Sequence, residues 1–219
     1  AGETCAFDDY DTQIILKKGE EPAMKGSLKL ANSASDAFIL QYYEETDARK
    51  ASFGHEISNS DWEKIARVKD VYGDVLFTAP IVAYNVAHPL LVYINDELNS
   101  EARKFTFLCG HDSNIASVNA ALEVEDYELP NSIEKKTPIG CKLVFEKWLD
   151  KEGNEFISIN LAYQSTEQLR NLEMLDKENS PMVYQLQLKG LDLNSDGLYS
   201  FKDVCTRFEK AITAYDDIK

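Results

Sequence analysis

Two neighbouring stretches in which polar and apolar residues largely alternate place the strongest constraint on how this chain folds. They cover residues 141–148 and 155–161. Alternation with a period of two is typical of strands that bury one face. The segment between them contains Gly153, and glycine readily adopts the positive φ that tight hairpin loops need. The pattern therefore predicts an antiparallel β-hairpin.

Helical patterns occupy much of the remaining sequence. Apolar residues recur at spacings of three and four, which is typical of amphipathic helices. We predict helices over residues 27–45, 60–73, 81–98, 113–122 and 200–218. Ser60 is the expected cap of the second helix because Glu63 follows three residues later. Pro89 predicts a kink or break in the third, near His88.

The arrangement of the other elements indicates a mixed α/β chain. Residues 105–110 form a short apolar run rich in aromatic residues, which predicts a buried strand ending in glycine. A further strand is expected over residues 182–188, whereas residues 1–25 are polar and predict a loop or extended segment. The chain is mainly helical up to about residue 75 and mixed afterwards, so we place a boundary there.

Composition excludes several classes of protein. A chain of 219 residues with 44% hydrophobic residues can bury a sizeable core, as one large domain or two small ones. Its formal net charge of −15 repels nucleic-acid phosphates and anionic membranes, so we expect neither as a partner. No apolar run reaches about 18 residues, and we expect no membrane-spanning helix. The N-terminus as written carries no signal-peptide pattern.

The four cysteines do not indicate a metal site. Cys5, Cys109, Cys141 and Cys205 lie far apart, and only three histidines accompany them. No spacing matches a zinc motif. Since Cys109 and Cys141 fall in predicted strands, we expect both to be small buried hydrophobes.

The segment around His111 and Asp112 carries the strongest chemical signal. A predicted strand ends at this pair and a helix begins at once, so free backbone N–H groups and the positive helix end face one spot. Histidine can donate to a phosphate oxygen, and a neighbouring carboxyl can protonate a leaving group. The alternative is that Asp112 only caps the helix while His111 is a satisfied core histidine.

Several separated motifs, in order, carry a resemblance to a known family. They are residues 36–44 (DAFILQYYE), 76–80 (LFTAP), 110–117 (GHDSNIAS), 137–140 (TPIG) and 163–171 (YQSTEQLRN). Together these motifs closely resemble the histidine acid phosphatases, in particular their bacterial periplasmic glucose-1-phosphatase branch. The likeness covers nearly the whole chain.

The resemblance implies a fold and an activity. The fold would be the C-terminal half of a phosphoglycerate mutase-like α/β sandwich, with residues 1–75 as the remainder of a helical cap subdomain and residues 76–219 as part of the core. The activity would be acid hydrolysis of phosphate monoesters, such as glucose 1-phosphate, through a phosphohistidine. Asp112 would be the proton donor, His111 a phosphate ligand and Glu21 a contact of the sugar. No cofactor is implied, and the expected location is the periplasm or outside the cell.

The chain departs from the family in one large respect. Its 219 residues contain no Arg-His-Gly, the motif that supplies the nucleophilic histidine and a phosphate-binding arginine. We therefore expect one piece of a phosphatase, inactive alone, whose strand at residues 105–109 pairs with the N-terminal half of the same enzyme or with a second copy. By the same resemblance Cys5 lacks its family partner. A phytase or broad acid phosphatase, and a non-catalytic binding module that kept the fold, remain alternatives.

A second pattern partly matches a calcium-binding loop. It consists of Asp192, Asn194, Asp196 and Asp203, with a glycine at position 197. The last position is not the usual bidentate glutamate, and a strand rather than a helix precedes the loop. The alternative is an Asx-rich turn that caps the final helix.

Overall fold

The computed structural model describes residues 11–218, so the prediction about Cys5 lies outside the described residues. The helices are α1 (Ser27–Glu44), α2 (Ala48–Ala51), α3 (Asn59–Phe77), α4 (Pro80–Asn99), α5 (Asp112–Ala121), α6 (Thr166–Arg170) and α7 (Phe201–Thr213). The strands are β1 (Gln13–Ile15), β2 (Ala23–Lys25), β3 (Lys142–Leu149), β4 (Glu155–Tyr163), β5 (Met182–Gln185) and β6 (Tyr199–Ser200).

The predicted hairpin is confirmed and forms the centre of the main sheet. Strands β3 and β4 pair antiparallel, with Lys142 opposite Ala162 and Leu149 opposite Glu155. Gly153, in the loop between them, has a φ of 86°. Strand β5 pairs with the other edge of β4 near its C-terminal end, and β6 pairs with β4 near its start. Strand β4 thus has hydrogen-bonded neighbours along both of its edges.

The main hydrophobic core lies between this sheet and the helices α4, α5 and α7. Strand β4 buries the alternate residues Ile157, Ile159, Leu161 and Tyr163. Helix α7 buries a stripe at spacings of three and four, which consists of Phe201, Val204, Phe208 and Ala211. The period-two and period-3.6 patterns of the sequence therefore meet in one core.

A second, smaller hydrophobic cluster joins α1 to α3. Trp62 is fully buried and stacks on Tyr42, with ring centroids 4.1 Å apart. Ile39, Tyr43 and Ala66 complete its centre. The boundary near residue 75 stays a prediction, and α3 runs without interruption past that position to Phe77.

Helices α3 and α4 differ in detail from expectation. Ser58 rather than Ser60 caps α3, because its Oγ accepts the N–H of Asp61 at 3.2 Å. Helix α4 continues through Pro89 without a break, since tertiary packing of its buried face outweighs the lost backbone hydrogen bond. No single described helix is long and apolar enough to cross a membrane; α3 and α4 meet that test only as a pair bent by 87°.

The N-terminal segment is more regular than expected, whereas the expected strand at residues 105–109 is wrong. Residues 13–15 and 23–25, which lie in the expected loop or extended segment, are extended and pair antiparallel as β1 and β2. The expected buried strand at residues 105–109 is irregular, with Phe105 81% and Phe107 65% exposed. Cys109 is exposed too, so it is not a buried hydrophobe. Within the described ranges no strand lies beside this segment to accept its backbone hydrogen bonds, and an extended run cannot form a sheet alone.

Candidate functional site

The chain turns into helix α5 at His111 and Asp112. The N–H of His111 donates to Asn114 Oδ1 at 2.9 Å, and Asp112 Oδ1 accepts the N–H of Ser113 at 2.9 Å. A Cβ atom at Gly110 would lie 2.8 Å from Asn114 Oδ1, so a side chain there would push the Asn114 amide away from the His111 N–H. Both His111 and Asp112 are exposed. The alternative of a core histidine is therefore wrong, and it is His111, not Asp112, that occupies the N-cap position.

Lys69 of helix α3 faces Asp112 at the start of helix α5. Its Nζ lies 3.4 Å from Asp112 Oδ2 and 2.8 Å from Glu134 Oε1. Burial alone would lower the pKa of Lys69, but the charge of Glu134 and the hydrogen bond to it outweigh burial and raise the pKa. Lys69 therefore stays a full positive charge beside the candidate proton donor.

Glu134 is 1% exposed, and both of its carboxylate oxygens accept hydrogen bonds. Its Oε1 pairs with Lys69, and its Oε2 accepts the Tyr43 hydroxyl at 2.9 Å and the Ile139 N–H at 3.1 Å. Burial, reinforced by the charge of Glu134, raises the pKa of Tyr43, so the phenol remains a hydrogen-bond donor. We call Tyr43, Lys69, Asp112, Glu134 and Ile139 the Glu134 network. It joins α1, α3, α5 and the turn before β3.

Cys141 lies beside the Glu134 network but is not a reactive thiol. Burial raises its pKa to about 12, with a further contribution from the charge of Glu134. A nucleophilic cysteine needs a thiolate, which this environment disfavours. Cys141 is partly exposed, so the expectation of a buried hydrophobe is met only in part at this position.

An open, mainly apolar cleft lies next to the Glu134 network. Its volume is about 370 Å³. Its lining comprises Tyr43, Glu44, Ile139, Gly140, Leu169 and Leu172. Two of these residues also hydrogen-bond Glu134, so the cleft borders the network, although neither His111 nor Asp112 lines it.

Glu21 is the predicted contact of the sugar. It lies in the exposed loop between β1 and β2. No hydrogen bond or ion pair among residues 11–218 joins it to His111 or Asp112. Its predicted contact with a sugar stays a prediction.

The calcium-like loop is accounted for by backbone hydrogen bonding. Asn194 Oδ1 accepts the N–H groups of Asp196 at 3.0 Å and Leu198 at 2.9 Å, which makes an Asx turn. Ser200, rather than the loop, caps α7 through the N–H of Asp203. In the described part of the chain, no group of three or more His, Cys, Asp or Glu residues is arranged to hold a metal ion.

Sequence reasoning missed Lys69 and Glu134. Lys69 sits in a helix whose charged positions resemble any solvated face, and Glu134 precedes a turn without a motif of its own. The one local signal is that Glu134 stands shortly before the Thr137-Pro138-Ile139-Gly140 motif. Nothing local indicates that the two residues meet.

Comparison with known proteins agrees with this fold. Residues 13–164 match the histidine phosphatase superfamily (branch 2). Because this match covers more than half of the chain, the protein belongs to that superfamily, as the sequence resemblance predicted. The α/β fold class is confirmed as well.

Similar proteins include two glucose-1-phosphatases and one phytase of known structure. Glucose-1-phosphatase of Providencia rettgeri is 39% identical over 213 residues, which is 95% of this chain and 51% of the relative. Glucose-1-phosphatase of Salmonella typhimurium is 40% identical over 197 residues, covering 88% and 48% of the two chains. The chain thus spans about half the length of these curated relatives. The phytase structure from Citrobacter braakii superposes with a TM-score of 0.84 over 97% of this chain and 56% of that one, at 22% identity, which is a likeness of fold.

Proposed function

We propose that this chain provides the proton-donor part of an acid phosphatase that hydrolyses sugar phosphates such as glucose 1-phosphate. In the first step a histidine nitrogen attacks phosphorus, the ester P–O bond breaks, and the Asp112 carboxyl gives its proton to the departing alkoxide. In the second step water attacks phosphorus, the P–N bond breaks, and a proton of that water passes to the Asp112 carboxylate. Phosphate is released without a cofactor.

The observation that carries this proposal is the exposed His111–Asp112 pair at the start of α5. The positive end of the α5 dipole favours a phosphate oxygen, and the exposed His111 side chain adds a ligand there. A carboxyl beside this position can reach the leaving oxygen, and such acid catalysis contributes about 10²–10⁴-fold in rate. The identity of 39–40% to two glucose-1-phosphatases, against 26% to the phytase AppA of Escherichia coli, supports a sugar phosphate over a phytate.

The nucleophile must come from polypeptide other than these 219 residues, since they contain no Arg-His-Gly. We propose that residues 105–109 receive this polypeptide as a neighbouring strand. Their large apolar side chains and unpaired backbone groups are the features that strand addition uses. The partner is the N-terminal half of the same kind of enzyme rather than a second copy, because only the former supplies the missing motif.

The test is complementation. The purified chain is assayed with glucose 1-phosphate at acid pH, alone and mixed with the part of the Providencia rettgeri glucose-1-phosphatase that the chain does not match. We expect phosphate release from the mixture and none from either component alone. Asp112→Asn should lower the rate at least about 100-fold, whereas Asp216→Asn, an exposed control near the chain's end, should leave it unchanged.

Three outcomes would contradict parts of the proposal. Turnover by the chain alone, abolished by Asp112→Asn, would overturn the requirement for a second polypeptide. An inactive mixture in which the two components nevertheless bind would favour the non-catalytic module. Faster release from phytate than from glucose 1-phosphate would favour the phytase alternative.

We also propose a periplasmic or extracellular location. The strongly acidic composition is compatible with it. Cell fractionation of the native host, with antibodies against the chain, would test this; recovery in the cytoplasmic fraction would contradict it.

A further inference from the structure

We propose that Lys69 is a positioning residue for Asp112, held in place by the buried carboxylate of Glu134. This inference rests on the proposed function, because it concerns the carboxyl that donates the proton. A residue of helix α3 would thus orient the Asp112 carboxyl of helix α5.

Glu134 is a rigid anchor for this contact. It is nearly inaccessible to solvent, and both carboxylate oxygens are bonded, to Lys69 on one side and to Tyr43 and Ile139 on the other. A buried charge with several good partners is costly to displace. Glu134 therefore fixes the position of the Lys69 ammonium on the side away from Asp112.

The ammonium has donors left over for Asp112. An ammonium carries three N–H groups, and the Glu134 bond at 2.8 Å uses one of them. On its other side the Nζ lies 3.4 Å from Asp112 Oδ2. Among the described residues, Lys69 is the only cation that forms an ion pair with Asp112.

Asp112 is thereby held through both of its oxygens. Oδ1 accepts the N–H of Ser113 at 2.9 Å, and Oδ2 faces Lys69. Without Lys69 the half-exposed carboxyl would keep only its bond to its own helix and would sample other rotamers. A proton donor that is displaced by about 1 Å loses up to about a hundredfold in rate. Binding of the phosphoryl group, which His111 and the helix start provide, would be affected far less.

The main test uses a pair of substitutions that keeps the buried site satisfied. Lys69→Gln alone would leave Glu134 as an unpaired buried charge and could prevent folding. Lys69→Gln together with Glu134→Gln replaces the ion pair by two amides that can hydrogen-bond each other. In the complemented enzyme we expect this double variant to lower kcat by about tenfold to a hundredfold, with KM within about twofold of the unsubstituted protein.

Two further variants separate positioning from a general effect of charge. Lys69→Arg should recover most of kcat, since a guanidinium can bridge Glu134 and Asp112. Lys64→Gln is the matched control, because Lys64 lies on the same helix, is exposed, and within the described part of the chain pairs only with Asp61, at 2.8 Å. It should leave kcat and KM unchanged. A double variant with kcat equal to that of the control, or one that raises KM alone, would overturn the inference.

A second measurement does not need activity. A double-mutant cycle on the isolated chain treats Lys69→Gln with Glu134→Gln as one change and Asp112→Asn as the other, so that the reference protein keeps the Glu134 anchor, and it follows denaturant unfolding. We expect the effect of Asp112→Asn on the folding equilibrium constant to differ by about twofold to fivefold between the two backgrounds, which is the range for a half-exposed ion pair. A coupling of one would overturn the inference. If the unsubstituted chain is inactive even when it is mixed with the complementing polypeptide, the result counts against the proposed function. The unfolding cycle would still show whether Lys69 holds Asp112.

Discussion

Arg170, at the end of α6, stacks its guanidinium on the ring of Tyr42 in α1, with 3.8 Å between the guanidinium carbon and the ring centroid. The same guanidinium donates to the backbone carbonyls of Tyr42 and Thr46. Helix α6 follows directly on β4, the central strand of the main sheet. This one side chain therefore ties the smaller helical cluster to the sheet that carries the main core.

Replacing Arg170 by lysine should loosen that tie. Lysine keeps the positive charge but loses the planar stacking and the fixed fork of donors, so we expect a loss of about 1–2 kcal/mol in the free energy of unfolding. Urea unfolding at neutral pH measures it. The control is Arg67→Lys, since the one ion pair of Arg67 within residues 11–218 is an exposed contact of 3.8 Å with Glu128; equal losses in both variants would contradict the prediction.

Asp70 should make the stability of the chain depend on pH. It is 6% exposed, and its Oδ2 has no hydrogen-bond partner among residues 11–218. Burial raises its pKa from 3.8 to about 6. An acid whose pKa is higher in the folded state binds protons more tightly there, so its stabilising contribution is complete below pH 3.8 and is lost as the pH rises through about 6.

Asp70→Asn removes this dependence. At pH 7 we expect the variant to be more stable than the unsubstituted chain by about 1–2 kcal/mol, less than the full linkage because the new amide is itself incompletely bonded. The difference should shrink as the pH is lowered towards 4. Unfolding curves at several pH values measure it, with Asp74→Asn as the exposed control one turn further along α3. A variant that is less stable at pH 7, or a difference that grows with acidity, would show the opposite linkage.

The exposed segment at residues 105–109 should matter for assembly but not for the isolated chain. Phe105→Ser with Phe107→Ser changes two side chains that are mostly in solvent, so the free energy of unfolding should change by less than about 0.5 kcal/mol. Binding of the complementing polypeptide should weaken at least about tenfold, because apolar anchors carry much of the affinity of an interface. Titration followed by calorimetry measures this. Met174→Ser, at another exposed apolar position, should leave binding unchanged; equal weakening by both would place the interface elsewhere.

Strand β4 should be the most sensitive part of the sheet. Ile159→Ala removes a fully buried side chain from the main core and should cost about 2–5 kcal/mol. Val183→Ala changes a residue that is 64% exposed on β5 and should cost less than about 1 kcal/mol. Thermal and urea unfolding of both variants measure this. Similar losses would mean that β5 is as buried as β4.

Much of the secondary structure was predictable because it depends on local patterns. The β3–β4 hairpin follows from alternation and one glycine, and the buried stripe of α7 follows from helical spacing. The exceptions share a cause. Residues 105–109 have the composition of a strand, but a strand needs a neighbour, and none of the described elements supplies one. Pro89 has the chemistry of a helix break, yet packing of α4 against α5 and α7 keeps the helix continuous.

The candidate site divides in the same way. By itself the sequence determined that His111 and Asp112 stand together at a helix start, and its ordered motifs indicated the superfamily, because these properties lie along the chain. Only the tertiary structure decided that Lys69 would stand between Asp112 and Glu134, that Glu134 would be buried, and that Tyr43 and Ile139 would complete its bonds. Charges so distant in sequence meet only once helices and sheet have packed, since the free energy that holds them together comes from burial shared by the whole core.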